Sequence, residues 1–241
     1  MARVQHSKLT KRRPSVRRPS REAAPQILAA VAAAGGMALL ARGLRFDEPT
    51  ALDHRVRSFA DTRVPREART ILRPLYPLGL PGGYITLAYG MAHWLHRTRR
   101  AGGPAIVTSA WMGWLVHRGA KLIFTRERPR RPGVRRRTDS YPSGHTTGAT
   151  ALALTTAYVL QRQGVVSKRG AAAIAIGVPV LMGSYRVIAD DHWATDVFGG
   201  WLLGGAVGLT CNAVLADSVG GTAHRLMASA ATRLRATAAT A

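Results

Sequence analysis

Six uncharged stretches, at 23–41, 74–96, 101–117, 140–161, 170–185 and 197–216, set the limits on what this 241-residue chain can become. Basic residues flank most of them, and most approach the ~20 residues a helix needs to cross hydrocarbon. A backbone in hydrocarbon must satisfy its own hydrogen bonds, so such runs fold as helices. Short turns between them predict antiparallel packing. No stretch shows the alternation of a strand, and the expected fold is all-α, an integral membrane bundle of six transmembrane helices. Mean hydropathy is only −0.03, because the 35 Lys and Arg residues crowd into the gaps between runs. A net charge of +23 would suit nucleic acid. Basic residues lying between membrane spans argue instead for lipid headgroups and topology, so no nucleic-acid partner is expected.

The runs divide the chain into three parts. Residues 1–22 are basic, repeat Arg-Arg-Pro-Ser and lack apolar periodicity, which predicts a disordered cytoplasmic tail. Residues 23–216 form the six-helix membrane domain, and 217–241 a cytoplasmic C-terminal tail. Residues 42–73 carry mixed charge with Pro49 and Pro65, and read as short amphipathic helices along the interface. Pro77 and Pro81 are placed to kink the second span or delay its start. Cys211 lies inside an apolar run, where a lone cysteine acts as a small buried hydrophobe.

Charge bias orients the bundle. The tail holds eight basic residues, and the turns at 97–100 and 162–169 hold three each. An even number of spans puts these and both termini in the cytoplasm. Segments 42–73, 118–139 and 186–196 then face outward, on a multi-pass protein of the cell membrane. The 118–139 loop breaks the bias with nine basic residues, and binding an anion would explain the exception.

Three polar clusters share that outer face. In the first, Lys121 and Arg128 stand seven apart, close to two helical turns, so both can face one pocket. The second, Tyr-Pro-Ser-Gly-His at 141–145, opens the fourth span. Proline fits a helix start, and free N–H groups at Ser143 and Gly144 would make an anion cradle beside His145. The third, at 185–196, places Arg186 six residues before His192 and sets His192 four from Asp196, one face of a helix. An imidazole held by a carboxylate can serve as a nucleophile of fixed tautomer. Each cluster alone is also compatible with charges that only mark a span end. Together they supply three cations, a backbone cradle and two histidines, which is what phosphoryl transfer through a histidine nucleophile requires.

Lys-x6-Arg-Pro at 121–129, Pro-Ser-Gly-His at 142–145 and Arg-x5-His-x3-Asp at 186–196 together resemble the three-part signature of the type 2 phosphatidic acid phosphatase superfamily. That superfamily contains membrane lipid phosphatases and soluble vanadium haloperoxidases. The resemblance implies an acid phosphatase/vanadium haloperoxidase-like core. By position, it implies that His192 attacks phosphorus and becomes a phosphohistidine, Asp196 orients it, and His145 protonates the leaving group. Lys121, Arg128, Arg186 and the backbone at Ser143 and Gly144 would hold the phosphate, and neither metal nor cofactor is implied. Many members have Ser-Arg where this chain has Tyr185-Arg186, so the fine phosphate geometry is expected to differ.

The function implied is metal-independent hydrolysis of a lipid phosphate or pyrophosphate at the outer leaflet. Polyprenyl pyrophosphate leads, since the Arg/Ala-rich composition suits a bacterial setting. Phosphatidic acid and diacylglycerol pyrophosphate follow. The partners expected are the phosphorylated lipid and the membrane, and the sequence is silent on oligomeric state. Two other classes compete. One is a divalent-metal-dependent headgroup transferase using Asp190, Asp191, His192 and Asp196, which would leave Lys121, Arg128 and His145 idle. The other is a non-catalytic lipid-phosphate binding or transport protein.

Overall fold

The structure is a computed structural model in which residues 21–129 and 139–215 are described. The expected C-terminal tail, nearly all of the N-terminal tail, and the 130–138 part of the basic loop lie outside the described residues. Within them every regular element is a helix: α1 (Ala23–Gly43), α2 (Ala51–Arg63), α3 (Arg66–Leu72), α4 (Leu75–Gly79), α5 (Pro81–Arg97), α6 (Gly103–Ala120), α7 (Gly144–Arg162), α8 (Lys168–Ile188) and α9 (Ala194–Leu215). The six uncharged runs correspond to α1, α4 with α5, α6, α7, α8 and α9. Length and composition alone mark α1, α8 and α9 as able to cross a membrane.

Two of the other three long helices, α5 and α7, miss that mark for physical reasons. In the second run, Leu80 is extended (ψ 152°) and Pro81 occupies the first turn of α5. Proline has no N–H to give α4 and a φ ready for a new helix, so the run splits. The 17 residues of α5 then span about 25 Å. In α7, Thr146, Thr147, Thr150 and Thr155 lower the hydropathy, yet all four are buried. A helix covered on all sides need not be apolar toward lipid, and these hydroxyls find partners nearby. Thr147 and Thr150 donate to the carbonyls of Ser143 and Thr146 one turn back.

α7 is the central helix, packed against α4, α5, α6 and α8. It meets α9 through Gly200, Gly204 and Gly208, a small residue every four positions that lets two backbones approach. A Cβ on Gly204 would stand 2.4 Å from the Thr147 carbonyl oxygen, and one on Gly200 2.9 Å from that of Ser143. Met37, Ala41 and Leu44, in and just beyond α1, close over Tyr141 on the other side of α9.

The connector before the second run folds as two short helices, α2 and α3. α2 begins with a capping box: the Asp53 N–H donates to the Thr50 hydroxyl at 3.1 Å, and the Thr50 N–H to the Asp53 carboxylate at 2.9 Å. The connector packs on α8 through α2 and α3.

Candidate active site

Up-and-down packing brings the C-terminal ends of α6 and α8 together with the N-terminal ends of α7 and α9. All three polar clusters therefore meet at one end of the bundle. Between them lies a cavity of about 1010 Å³ whose lining includes Lys121, Arg128, Gly144, His145, Arg186 and His192. Its lining continues over Leu80, Pro81, Tyr84, Trp114 and Leu122. One part of the wall is cationic and another apolar.

His192 sits in the turn between α8 and α9, with 3% of its surface exposed. Its Nε2 is 3.0 Å from Arg128 Nη1. A guanidinium nitrogen can only donate, so Nε2 is the acceptor and Nδ1 carries the proton. Nδ1 faces Asp196 Oδ2 at 3.4 Å. Burial, followed by the Arg128, Arg186 and Lys121 charges, pushes the imidazole well below its ordinary pKa. The ring is therefore neutral near pH 7, with a lone pair directed at the cationic wall. That is the state a nitrogen nucleophile needs.

Asp196 stands behind His192, fully buried in the first turn of α9. Its Oδ2 accepts from the Trp193 N–H at 2.8 Å, capping its own helix, and its Oδ1 accepts from Arg126 at 2.7 Å.

The cations are held by different partners. Arg128 donates to the carbonyls of Asp191 at 2.6 Å and Asp139 at 3.1 Å. Lys121 also donates to the Asp139 carbonyl. Burial, and then repulsion from Arg128, lowers the Lys121 ammonium to about 7. Arg186 is ion-paired with Asp191 at 2.6 Å and lies over the Tyr76 ring.

The expected backbone cradle divides. Gly144, at the start of α7, lines the cavity. A Cβ there would stand 2.6 Å from the His117 ring, so only glycine fits beneath that imidazole. Ser143 stands apart: it is fully buried, and its N–H donates to the Asp196 carbonyl at 3.0 Å. His145 lies on the cavity wall, bonded to the Tyr76 backbone on one side. Its Nε2 has no hydrogen-bond partner among the described residues. Gly79 packs flush against it, since a Cβ there would fall 2.3 Å from the ring. Tyr185 is buried among Ala149, Met182 and Ala189 and does not line the cavity.

Sequence reasoning missed the residues behind the wall. Arg126, two before Arg128, is buried and bridges Asp196 to Asp53 of α2, 2.7 Å to each. Asp53 in turn accepts from the Thr195 N–H and hydroxyl, both at 2.9 Å. Burial alone would raise the Asp53 carboxyl, but the Thr195 and Thr50 N–H groups and the Arg126 guanidinium bring it below its usual range. His117 was missed too, although it stands one helical turn before Lys121 on the cavity wall.

The carboxylates proposed for a metal site do not converge. Asp190 pairs with Arg57 and Arg69, Asp191 with Arg186, and Asp196 with Arg126. Among the described residues no group of three or more His, Cys, Asp or Glu is placed to hold a metal ion.

Comparison with known proteins shows what the site region resembles. No curated protein sequence matches the chain. A family model described as the PAP2 superfamily matches residues 105–219, which include all three clusters. A solved structure, described as the first transmembrane PAP2 type phosphatidylglycerolphosphate phosphatase from Bacillus subtilis, superposes with a TM-score of 0.66. The alignment has 20% identity and covers 80% of this chain and 96% of that one. The chain is thus similar to the PAP2 superfamily over residues 105–219, and it shares its fold with a transmembrane phosphatase of that type.

Proposed function

We propose that this protein is a membrane lipid phosphatase that hydrolyses a lipid phosphate or diphosphate through a phosphohistidine on His192. The observation that carries the reading is the neutral His192, with its lone pair on a wall of three cations and its Nδ1 toward Asp196. Lys121, Arg128 and Arg186 take the phosphoryl oxygens, and Gly144 adds a backbone N–H at a helix N-terminus. His192 Nε2 attacks phosphorus in line with the leaving oxygen, displacing Arg128 from its lone pair. The P–O bond breaks as the N–P bond forms, and His145 gives the leaving oxygen its proton. Water then attacks the phosphohistidine, with His145 taking the proton, and inorganic phosphate departs. Fixed cations stabilise the charge that spreads over the equatorial oxygens in both steps.

The apolar wall from Leu80 to Leu122 suits a lipid tail, which makes a membrane lipid a better substrate than a free metabolite. Arg118 adds a fourth cation to the cavity lining, beyond what one phosphoryl group uses. That favours a diphosphate, with polyprenyl diphosphate as the leading substrate. All six long runs cross the membrane in this reading, with the termini in the cytoplasm and the cavity opening on the outer face.

The test is phosphate release in detergent micelles with excess chelator. Polyprenyl diphosphate, diacylglycerol pyrophosphate, phosphatidic acid and phosphatidylglycerol phosphate are offered to wild type and His192→Ala. Release by wild type and none by His192→Ala is expected. Equal release by both would overturn the assignment, and binding without release from any lipid would make the protein a carrier.

A further inference from the structure

The connector helix α2 lies outside the matched family region, yet it reaches the reacting histidine through a buried chain of charge-assisted hydrogen bonds. Asp53 is 1% exposed and Arg126 3%. Arg126 Nη2 donates to Asp53 Oδ2 at 2.7 Å, while Nη1 donates to Asp196 Oδ1 and to Thr195 Oγ1, each at 2.7 Å. Asp53 Oδ1 takes the Thr195 N–H at 2.9 Å, so one carboxylate from α2 caps α9 across 142 positions of sequence. Both oxygens of Asp196 are held, and the Ser140 side chain adds a further hydrogen bond to the carboxylate. Oδ1 goes to Arg126 and Oδ2 to the Trp193 N–H, and Oδ2 also faces His192 Nδ1 at 3.4 Å.

We propose that Asp53 and Arg126 are positioning residues for the nucleophile, and that the catalytic unit extends back to the start of α2. The inference rests on His192 being the attacking group. Arg126 has two carboxylates to satisfy, one on each side, and a guanidinium fork held at both ends cannot swing. Without Asp53, its free Nη2 would draw Arg126 and Asp196 from their present alignment. The His192 ring, held in the tautomer that exposes Nε2, would follow. Pairs of this kind are costly to break singly, because the partner is left charged and buried. They also aim the group they touch, in the way outer-shell partners fix an imidazole that ligates a metal.

A second grip supports the same assignment. Arg57 of α2 and Arg69 of α3 both reach Asp190, at 3.4 and 3.1 Å, and Arg69 donates to the Ile188 carbonyl at 2.7 Å. Asp190 has a left-handed backbone (φ 52°). The turn carrying His192 is thus clasped by the connector on both sides, at 188–190 and at 195.

The experiment uses full-length protein in detergent micelles, with short-chain phosphatidic acid as the probe. Asp53→Asn is expected to lower kcat by about 10- to 100-fold, the range found when outer-shell partners are lost, while KM stays within about twofold. Arg126→Gln should do the same, and the double variant should be no slower than Arg126→Gln alone, since the two act as one unit. Asp53→Glu keeps the charge and should recover part of kcat, which also provides the reading if Asp53→Asn does not fold. Thr50→Ala removes the cap of α2 and the Thr50 hydroxyl from Asp53 Oδ2 but leaves both Arg126 bonds in place, and should lower kcat less than Asp53→Asn does. Equal losses in Thr50→Ala and Asp53→Asn, or additive losses in the double variant, would make Asp53 a structural residue and overturn the inference. His192→Ala separates the two levels. If it is as active as wild type, the nucleophile assignment itself fails. If it is inactive while Asp53→Asn turns over normally, only the positioning role fails.

Discussion

Lys121 is the residue whose charge state is most open to test. Burial and Arg128 bring its ammonium to about 7 in the free protein. A lowered lysine is charged below that pH and neutral above it, and only the charged form binds phosphate oxygens. The value of kcat/KM, which reports the free enzyme, should therefore fall as pH rises through about 7. Lys121→Arg should remove that limb, because arginine stays charged. A limb of the same position in Lys121→Arg would assign it to another group. His192 should contribute no acid limb near its ordinary value, since its pKa lies far below it. Gly79 offers a steric test at the same scale. Gly79→Ala would put a methyl carbon 2.3 Å from the His145 ring. An imidazole moved by about 1 Å can cost on the order of 100-fold in rate, so kcat should drop without a matching loss of bound lipid. A wild-type kcat in Gly79→Ala would place His145 outside the proton transfer.

Elements explain which parts of this site were legible in sequence. Lys121, Gly144, His145 and Arg186 sit at helix ends and His192 in the turn before α9, where charge interrupts an apolar run. The pattern of runs therefore predicts that they gather at one end of the bundle. Arg128 reaches the cavity along a non-helical segment after α6 ends at Ala120, not by the two helical turns its spacing suggested. The site partners that escaped notice, Asp53 and Arg126, pair across 73 positions. No local period announces such a pair. Ser143 shows the converse failure. Its N–H was expected to be free because it precedes a helix, but the close approach of α9 at Gly200 brings the Asp196 carbonyl onto it. The split of the second run, by contrast, was written in Pro81.

Two predictions belong to elements. Gly204→Val would push α9 off the Thr147 carbonyl, and overpacking of this kind typically costs about 1–3 kcal/mol. A lowered melting temperature should follow, and an unchanged one would mean that α7 and α9 are not in such close contact. Arg69→Ala would release Asp190 and the Ile188 carbonyl. The Arg69 side chain is a third exposed, so global stability should change by under about 1 kcal/mol. Hydrogen exchange at 188–195 should nevertheless rise, and no change there would show that the connector does not hold this turn.

At the scale of the whole molecule, the bundle presents a cationic cavity at the ends of four helices, with an apolar wall leading away. In the proposed orientation, that arrangement would account for a basic 118–139 loop standing against the positive-inside bias. Among its described residues, Arg126 is ion-paired with Asp53 and Asp196, and Lys121 and Arg128 donate to the Asp139 carbonyl. Topology is testable by labelling. After Cys211→Ala, a cysteine at Leu122, which is 88% exposed, should react with a membrane-impermeant maleimide added outside cells. A cysteine at Val165, in the turn between α7 and α8, should react only after the membrane is opened. The reverse pattern would invert the proposed orientation.

The claim on which the rest depends is that phosphorus passes through His192. The most direct measurement is to quench wild-type and His192→Ala protein during turnover of a lipid carrying ³²P in its terminal phosphate, then map the labelled peptide. The account predicts an acid-labile, base-stable label on the peptide containing His192 in wild type, and none in His192→Ala. Turnover with no labelled protein at any quench time, or a label that persists in His192→Ala, would contradict it.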